Sequence, residues 1–351
     1  MATRTQPDDS PRATRFTRDG LDLVAVENGR VRLVFWPAHG CDVIEFRHKG
    51  SDCDALWKNP YLQPPRLDPL PLPHAGRSEF YDTFHGGWLL SIPACFSPCD
   101  YYGAPMGTLG EYAQLAWCIE DIREEPEQVS VVFSVQGVRT PFAITRRVTL
   151  RAGEDKAGFH TTVRNGATQR LPVVWIEHLL LGGPLLDGGR VMTAAGNSVV
   201  PPASRPELTQ LQPASTTAWP MARESTGGLR DLSQVPPRGS KLEHVVALQK
   251  FREGWGCLWN AGLNLGFELR WDTEFFPRAW LWATGTGGAD YPLWGSGHVL
   301  GLEPATSSPL PFRDLVERGE VRWIEAGAEI GTTLTAGFIS REPAGDAVGS
   351  K

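Results

Sequence analysis

Two short stretches carry the side chains best able to move protons. "WIEHLLLG", from Trp175 to Gly182, sets Glu177 beside His178 inside an apolar run. "GHVLGLEPATSSP", residues 297–309, places Glu303 after an apolar run and directly before Pro304. Carboxylates and imidazoles are the usual general acids and bases. Successive side chains of a strand point to opposite faces. Val174, Ile176, His178 and Leu180 therefore share one face, and Val173, Trp175, Glu177 and Leu179 take the other. Glu177 and His178 are neighbours that do not act as a pair. His178 reads either as a cleft residue or as a core histidine bonded to a backbone carbonyl. Val299, Gly301 and Glu303 share a face, Gly301 leaves space beside them, and Pro304 should end the strand. Glu303 then lines a site or meets solvent.

Two further stretches supply aromatic and polar groups. "EFYDTFHGGWLLSIPACFSPCDYYGAPMGTLGEYAQLAW", residues 79–117, gathers His85, Gly86-Gly87, Trp88 and several tyrosines. It reads as a binding rim, or as turns with aromatic plugs. "FFPRAWLWATGTGGADYPLW", residues 275–294, puts Trp280 and Trp282 on one strand face and Asp290 in a glycine-rich loop. Paired aromatics suit the apolar face of a sugar ring and equally a sandwich core. Cys95 and Cys99 have metal-like spacing, but no second Cys/His pair follows, so no metal is expected.

The elements that must position these groups are strands. "LDLVAVENGRVRLVFW" gives two runs parted by Asn-Gly, a hairpin signal. "VSVVFSVQGV" with "FAITRRVTLRAG" reads as another antiparallel pair, and strand-like runs continue to "IGTTLTAGFIS". Only "PFRDLVERGE" suggests a turn or two of helix. Strands following one another without helices imply antiparallel sheets packed face to face. The expected fold is all-β, a large antiparallel β-sandwich with very little helix. The expected organisation is one domain over 15–341, with flexible ends at 1–14 and 342–351. Two proline-rich or polar segments, 59–77 and 200–240, read as ordered loops anchored by Tyr61 and Trp219.

Composition narrows the function. The chain has 351 residues, 41% of them hydrophobic, which is ample for a large core. A net charge of -6 argues against a general nucleic-acid binder. No stretch is long and apolar enough to span a membrane, and the polar N-terminal residues do not read as a signal peptide. With six cysteines, too few for a disulfide scaffold, the expectation is a cytoplasmic protein with reduced thiols.

Taken in order, these motifs resemble the galactose mutarotase-like superfamily, specifically its aldose 1-epimerase-like proteins. "VRLVFWPAHGCDVIEFRHKGSDCDALW" is similar to the opening strands, and "HGGWLLSIP" to the Gly-Gly segment. "WIEHLLLGGPLL" resembles the Trp-x-Glu-His strand, and "FPRAWLWATG" with "LGLEPATSSP" the final site-forming pair. The resemblance spans most of the chain. It implies a supersandwich with a sugar in an open cleft on one sheet, Glu303 as general base and His178 as general acid. The base takes the anomeric proton while the acid protonates the ring oxygen. The ring opens, C1–C2 rotates, and the ring closes on the other carbonyl face. No metal or organic cofactor is implied. Arg77 (or Arg47), His85, Trp88, Trp282 and Asp290 are the implied sugar-binding candidates. The family often has a second histidine ahead of the "W" segment; Leu109 stands in that place here, and His85 is the nearest substitute. The expected partner is a monosaccharide or sugar derivative, phosphorylated if Arg77, Arg146 and Arg147 converge. A homodimer is allowed. The competing readings are a non-catalytic carbohydrate-binding or sensing protein and, more distantly, a lyase or glycoside hydrolase, which usually needs two facing carboxylates.

Overall fold

The inward-facing residues of two large antiparallel sheets make the main core. The computed structural model describes residues 9–63, 65, 79–93, 97–202, 204, 209–286 and 291–343. The larger sheet runs, in spatial order, Arg12–Arg18, Leu21–Glu27, Val31–Trp36, Asp42–His48, Trp88–Ser91, Ile176–Leu181, Val299–Ala305, Arg278–Thr284, Glu243–Gln249, Asn197–Val199 and Thr216–Ala218. The short Cys53–Asp54 strand pairs with Asp42–His48. The second sheet runs Arg190–Thr193, Trp255–Asn260, Leu265–Trp271, Glu329–Ile339, Lys156–Asn165, Phe142–Arg151, Gln128–Gln136 and Cys118–Glu125. Strand accounts for 51% and helix for 5%, so the fold is the all-β sandwich expected. The α-helix Phe312–Glu317 falls where the sequence suggested a turn or two.

Alternation in sequence makes the core. In Phe142–Arg151 the buried positions are Phe142, Ile144, Arg146, Val148 and Leu150, while Thr145 and Arg147 are exposed. Aromatic rings then meet across the gap between sheets: Phe46 with Phe267 at 5.0 Å, Phe35 with Phe133 at 5.2 Å, and Trp88 with Phe159 at 4.5 Å between centroids. Such pairs combine large area burial with favourable quadrupole geometry. The Asn-Gly hairpin forms as expected, Leu21–Glu27 pairing antiparallel with Val31–Trp36.

Three local expectations need correction. The first strand begins at Arg12, because Arg12–Arg18 pairs along its whole length with Leu21–Glu27. The Glu303 strand continues past Pro304 to Ala305, with Pro304 opposite Ala279. Tyr61 is not an anchor: it is 58% exposed. Trp219 does pack against the core, in a segment held by buried Leu211, Ala222 and Leu232.

Candidate functional site

The centre of the larger sheet brings His178 and Glu303 together. Ile176 faces Ala305 and Leu180 faces Gly301, and the same register sets His178 opposite Glu303. On its other flank His178 faces Leu89, while Trp280 faces Glu303. Directly opposed residues of an antiparallel pair project from the same face. His178 Nε2 lies 3.9 Å from Glu303 Oε1. The pair sits beneath a second apolar cluster on the face turned away from the sandwich interior, with Trp57, Phe84, Leu180 and Val299 buried and Tyr81 and Trp282 half-buried.

The two groups are closer than the width of a sugar ring, and the space that Gly301 was expected to leave is taken by Glu303 itself: a Cβ on Gly301 would lie 2.2 Å from Glu303 Oε1. Proximity suits hemiacetal chemistry, because the hydroxyl and the ring oxygen that exchange protons are bonded to the same carbon.

Burial sets the protonation of the pair. It pushes His178 down to about 4. It also pushes Glu303 well above the usual carboxylate range. Glu303 Oε2 is buried with no hydrogen-bond partner among the described residues. Burial thus favours the neutral form of each group, with the one shared proton on Glu303. Hydroxyl donors delivered by a ligand would favour the carboxylate and release that proton toward His178.

Aromatic rings run outward from the buried pair. Phe84 lies 6.2 Å from the His178 ring and Tyr81 6.4 Å from Phe84. Tyr291 follows at 6.1 Å and Trp294, which is exposed, at 6.2 Å. Tyr291 donates its hydroxyl to Asp82, and Trp282 donates its indole N–H to Glu243 Oε1 at 3.3 Å. Trp282 packs half-buried against the same apolar cluster as Phe84. Tyr81 falls in the stretch 79–117 read as a binding rim and Trp294 ends the stretch 275–294, but neither was singled out by number, since nothing in their spacing distinguishes them from core plugs.

Glu177 points the other way, into the sandwich. Arg146 Nη2 donates to both its oxygens, at 2.6 and 2.9 Å. Trp88 Nε1 donates to Oε2 at 2.9 Å and Trp175 Nε1 to Oε1 at 3.1 Å. Arg146 Nε is satisfied by Thr161 Oγ1 at 2.9 Å. Glu177 therefore ties the two sheets together, and alternation correctly separates it from His178.

That network corrects two expectations. Trp88 is not a sugar-binding residue: it is fully buried between the sheets and spends its N–H on Glu177. Arg146 cannot reach a substrate phosphate, since its guanidinium is locked in the interior. Arg147, one residue on, is exposed on the outer face of the second sheet. Arg47 donates to Asp52 Oδ1 at 2.7 Å. Arg77 and Asp290 lie outside the described residues, as does Cys95. Leu109 is buried in the same apolar cluster as Phe84.

His85 is buried beside the site, and its partners were not foreseen. Its Nε2 lies 2.9 Å from Asp42 Oδ2, and His39 Nδ1 lies 2.7 Å from the same oxygen. His39 Nε2 meets Thr83 Oγ1 at 3.0 Å, and Trp36 stacks on the His39 ring at 4.9 Å. The signal available in the sequence was "HGCD", a His-x-x-Asp step in a turn.

With this geometry in place, relatives can be compared. Residues 18–337 match the profile of a family described as a domain of unknown function, DUF4432. The chain belongs to the DUF4432 family. No curated protein matches it by sequence. Solved structures with the same fold include a protein named putative aldose 1-epimerase from Klebsiella pneumoniae. It is 14% identical, with 94% of this chain and 83% of that one covered, at a TM-score of 0.73. A galactose mutarotase-like protein from Clostridium acetobutylicum is 12% identical, over 94% and 99% of the two chains, at 0.64. A putative mutarotase from Salmonella typhimurium is 14% identical, over 94% of each, at 0.61. This DUF4432 chain therefore has the galactose mutarotase-like fold. Among its described residues no helix is long and apolar enough to cross a membrane.

Proposed function

We propose that the protein is an aldose 1-epimerase-type isomerase that interconverts the anomers of a sugar. The observation that carries this reading is the placement of His178 and Glu303 face to face on adjacent central strands, 3.9 Å apart on the face outside the core. The names of the structural neighbours agree with it.

In the proposed reaction the sugar enters past the Tyr81–Tyr291–Trp294 rim and lays its C1 over the pair. Hydroxyl groups of the sugar donate to Glu303 and favour its carboxylate, and the shared proton passes to His178. Glu303 takes the proton of the anomeric hydroxyl while His178 protonates the ring oxygen. The C1–O bond of the ring breaks and the open aldehyde forms. Rotation about C1–C2 and closure on the other face, with both proton transfers reversed, gives the other anomer. Each positioned proton transfer is worth roughly a hundred- to ten-thousand-fold in rate. The low-dielectric surroundings strengthen the polar contacts that the reacting oxygens make. Arg146 is held by Glu177 and Arg147 lies on the outer face of the second sheet, so neither serves a substrate phosphate.

A second reading has one observation behind it. Leu109 fills the place where the family resemblance expects a histidine, which suits a sugar-binding or sensing protein without turnover. NMR exchange spectroscopy between α and β anomers, over a panel of aldoses, separates the two. Turnover supports the isomerase. Saturable binding with no acceleration of exchange supports the sensor.

A further inference from the structure

Beside the proton-transferring pair, but sharing no residue with it, three buried side chains form a donor set of their own. His39 Nδ1, Asp42 Oδ2 and His85 Nε2 all lie within 4.8 Å of one another, and all three residues are buried. They come from three separate places. His39 is in the turn after Val31–Trp36, Asp42 begins the next strand, and His85 precedes the glycine pair that leads into Trp88–Ser91. The backbone there is closely fixed. His85 O accepts from Asn59 N at 2.9 Å, and a Cβ on Gly86 would lie 2.3 Å from Trp57 O.

The contacts around the cluster leave one carboxylate oxygen unused. Thr83 Oγ1 donates to Phe80 O at 3.3 Å. The same hydroxyl lies 3.0 Å from His39 Nε2, as donor or acceptor according to the tautomer of the ring. His39 Nδ1 and His85 Nε2 stand 2.7 and 2.9 Å from the same oxygen of Asp42, so two imidazole nitrogens converge on one buried carboxylate oxygen. Asp42 Oδ1 is also buried with no hydrogen-bond partner among the described residues, so the carboxylate has acceptor capacity left over.

We propose that His39, Asp42 and His85 form a binding site for a divalent transition-metal ion of the zinc type. Two imidazole nitrogens and one carboxylate oxygen are a donor set suited to zinc and its neighbours, whereas calcium and magnesium take oxygen ligands. With metal–ligand bonds of about 2.0–2.2 Å in tetrahedral geometry, donors stand about 3.3–3.6 Å apart, so the cluster needs to open by roughly half an ångström to an ångström. Thr83 plays the part usual for the partner of a ligating histidine, holding the second ring nitrogen and fixing the tautomer. The stacked Trp36 holds the same ring in plane. Three protein ligands leave a coordination position open. The ion ties the turn at His39 and the loop at His85 to the strand between them, on the same sheet as Leu89, the cross-strand neighbour of His178. This site is independent of the isomerase reading and takes no part in the proton transfers described above.

The test uses the full-length protein, stripped with chelator and titrated with zinc chloride by calorimetry, with elemental analysis of the unstripped protein. The expected result is one zinc per chain, with binding weakened at least a hundredfold in Asp42→Asn. X-ray absorption of the zinc-loaded wild type should show two imidazole ligands, and this measurement does not depend on the variant folding. Absence of stoichiometric binding, or binding equal in wild type and folded Asp42→Asn, would overturn the proposal.

Discussion

At the scale of single residues, the account rests on one proton shared by two buried groups. Both shifts arise from burial, and they move in opposite directions: His178 down to about 4 and Glu303 above the carboxylate range. The singly protonated pair is the working form, so kcat/KM for anomer exchange should be bell-shaped. The acid limb should fall near pH 4, where His178 gains a second proton. The alkaline limb should lie above the ordinary carboxylate range, where Glu303 loses the shared one. A profile with its acid limb at the usual histidine pKa of about 6.5 would contradict the assignment. The same shift predicts a stability effect. An unfolded Glu ionises near about 4.3, while the folded one holds its proton to higher pH. The contribution of Glu303 is therefore fully present below the unfolded pKa and is lost as pH rises toward the folded value. Glu303→Gln removes that loss, so the variant should melt at a higher temperature than wild type at pH 8 and show little difference at pH 4. Equal melting differences at both pH values would count against it.

At the scale of elements, the two sheets are joined by an ion pair as well as by aromatic packing. Removing one partner leaves the other charged and buried, which typically costs about 3–5 kcal/mol. Arg146→Met should lose roughly that much in urea unfolding, and Arg146→Met with Glu177→Met should recover a large part of it. A loss below about 1 kcal/mol in the single variant would mean the network is not what holds Glu177. The sequence made the separation of Glu177 from His178 readable, because strand period two is local. It did not show that Glu177 has Arg146 as partner, since no local pattern says which strand of one sheet lies over which of the other. Trp88 was misplaced for a related reason. Gly86 and Gly87 both have φ near +90°, and the turn they make resets the alternation that would have told which face Trp88 takes. His39 and Asp42 went unnoticed because a turn, not a strand or helix, brings them together.

At the scale of the whole molecule, the fold was legible and the site was half legible. Asn-Gly at the first hairpin, alternating runs such as Phe142–Arg151 and the near absence of helical periodicity were enough to give the sandwich. His178 and Glu303 could be singled out as polar interruptions of apolar strands, but their register depended on the order of strands in the sheet. That order places Ile176–Leu181 against Val299–Ala305 across a wide gap in sequence. The aromatic rim is a property of loops folding over that order, so the stretches 79–117 and 275–294 could be marked as aromatic-rich, but not which of their rings line it. The fold itself is shared with proteins of 10–14% identity, so it cannot by itself decide the chemistry. The pair must. The most direct measurement is the rate of α–β exchange of an accepted aldose by NMR, for wild type, Glu303→Gln and His178→Asn. The expected result is catalysis by the wild type and a loss of roughly a hundred- to ten-thousand-fold in each variant with the fold intact. Rates unchanged in both variants would contradict the central claim.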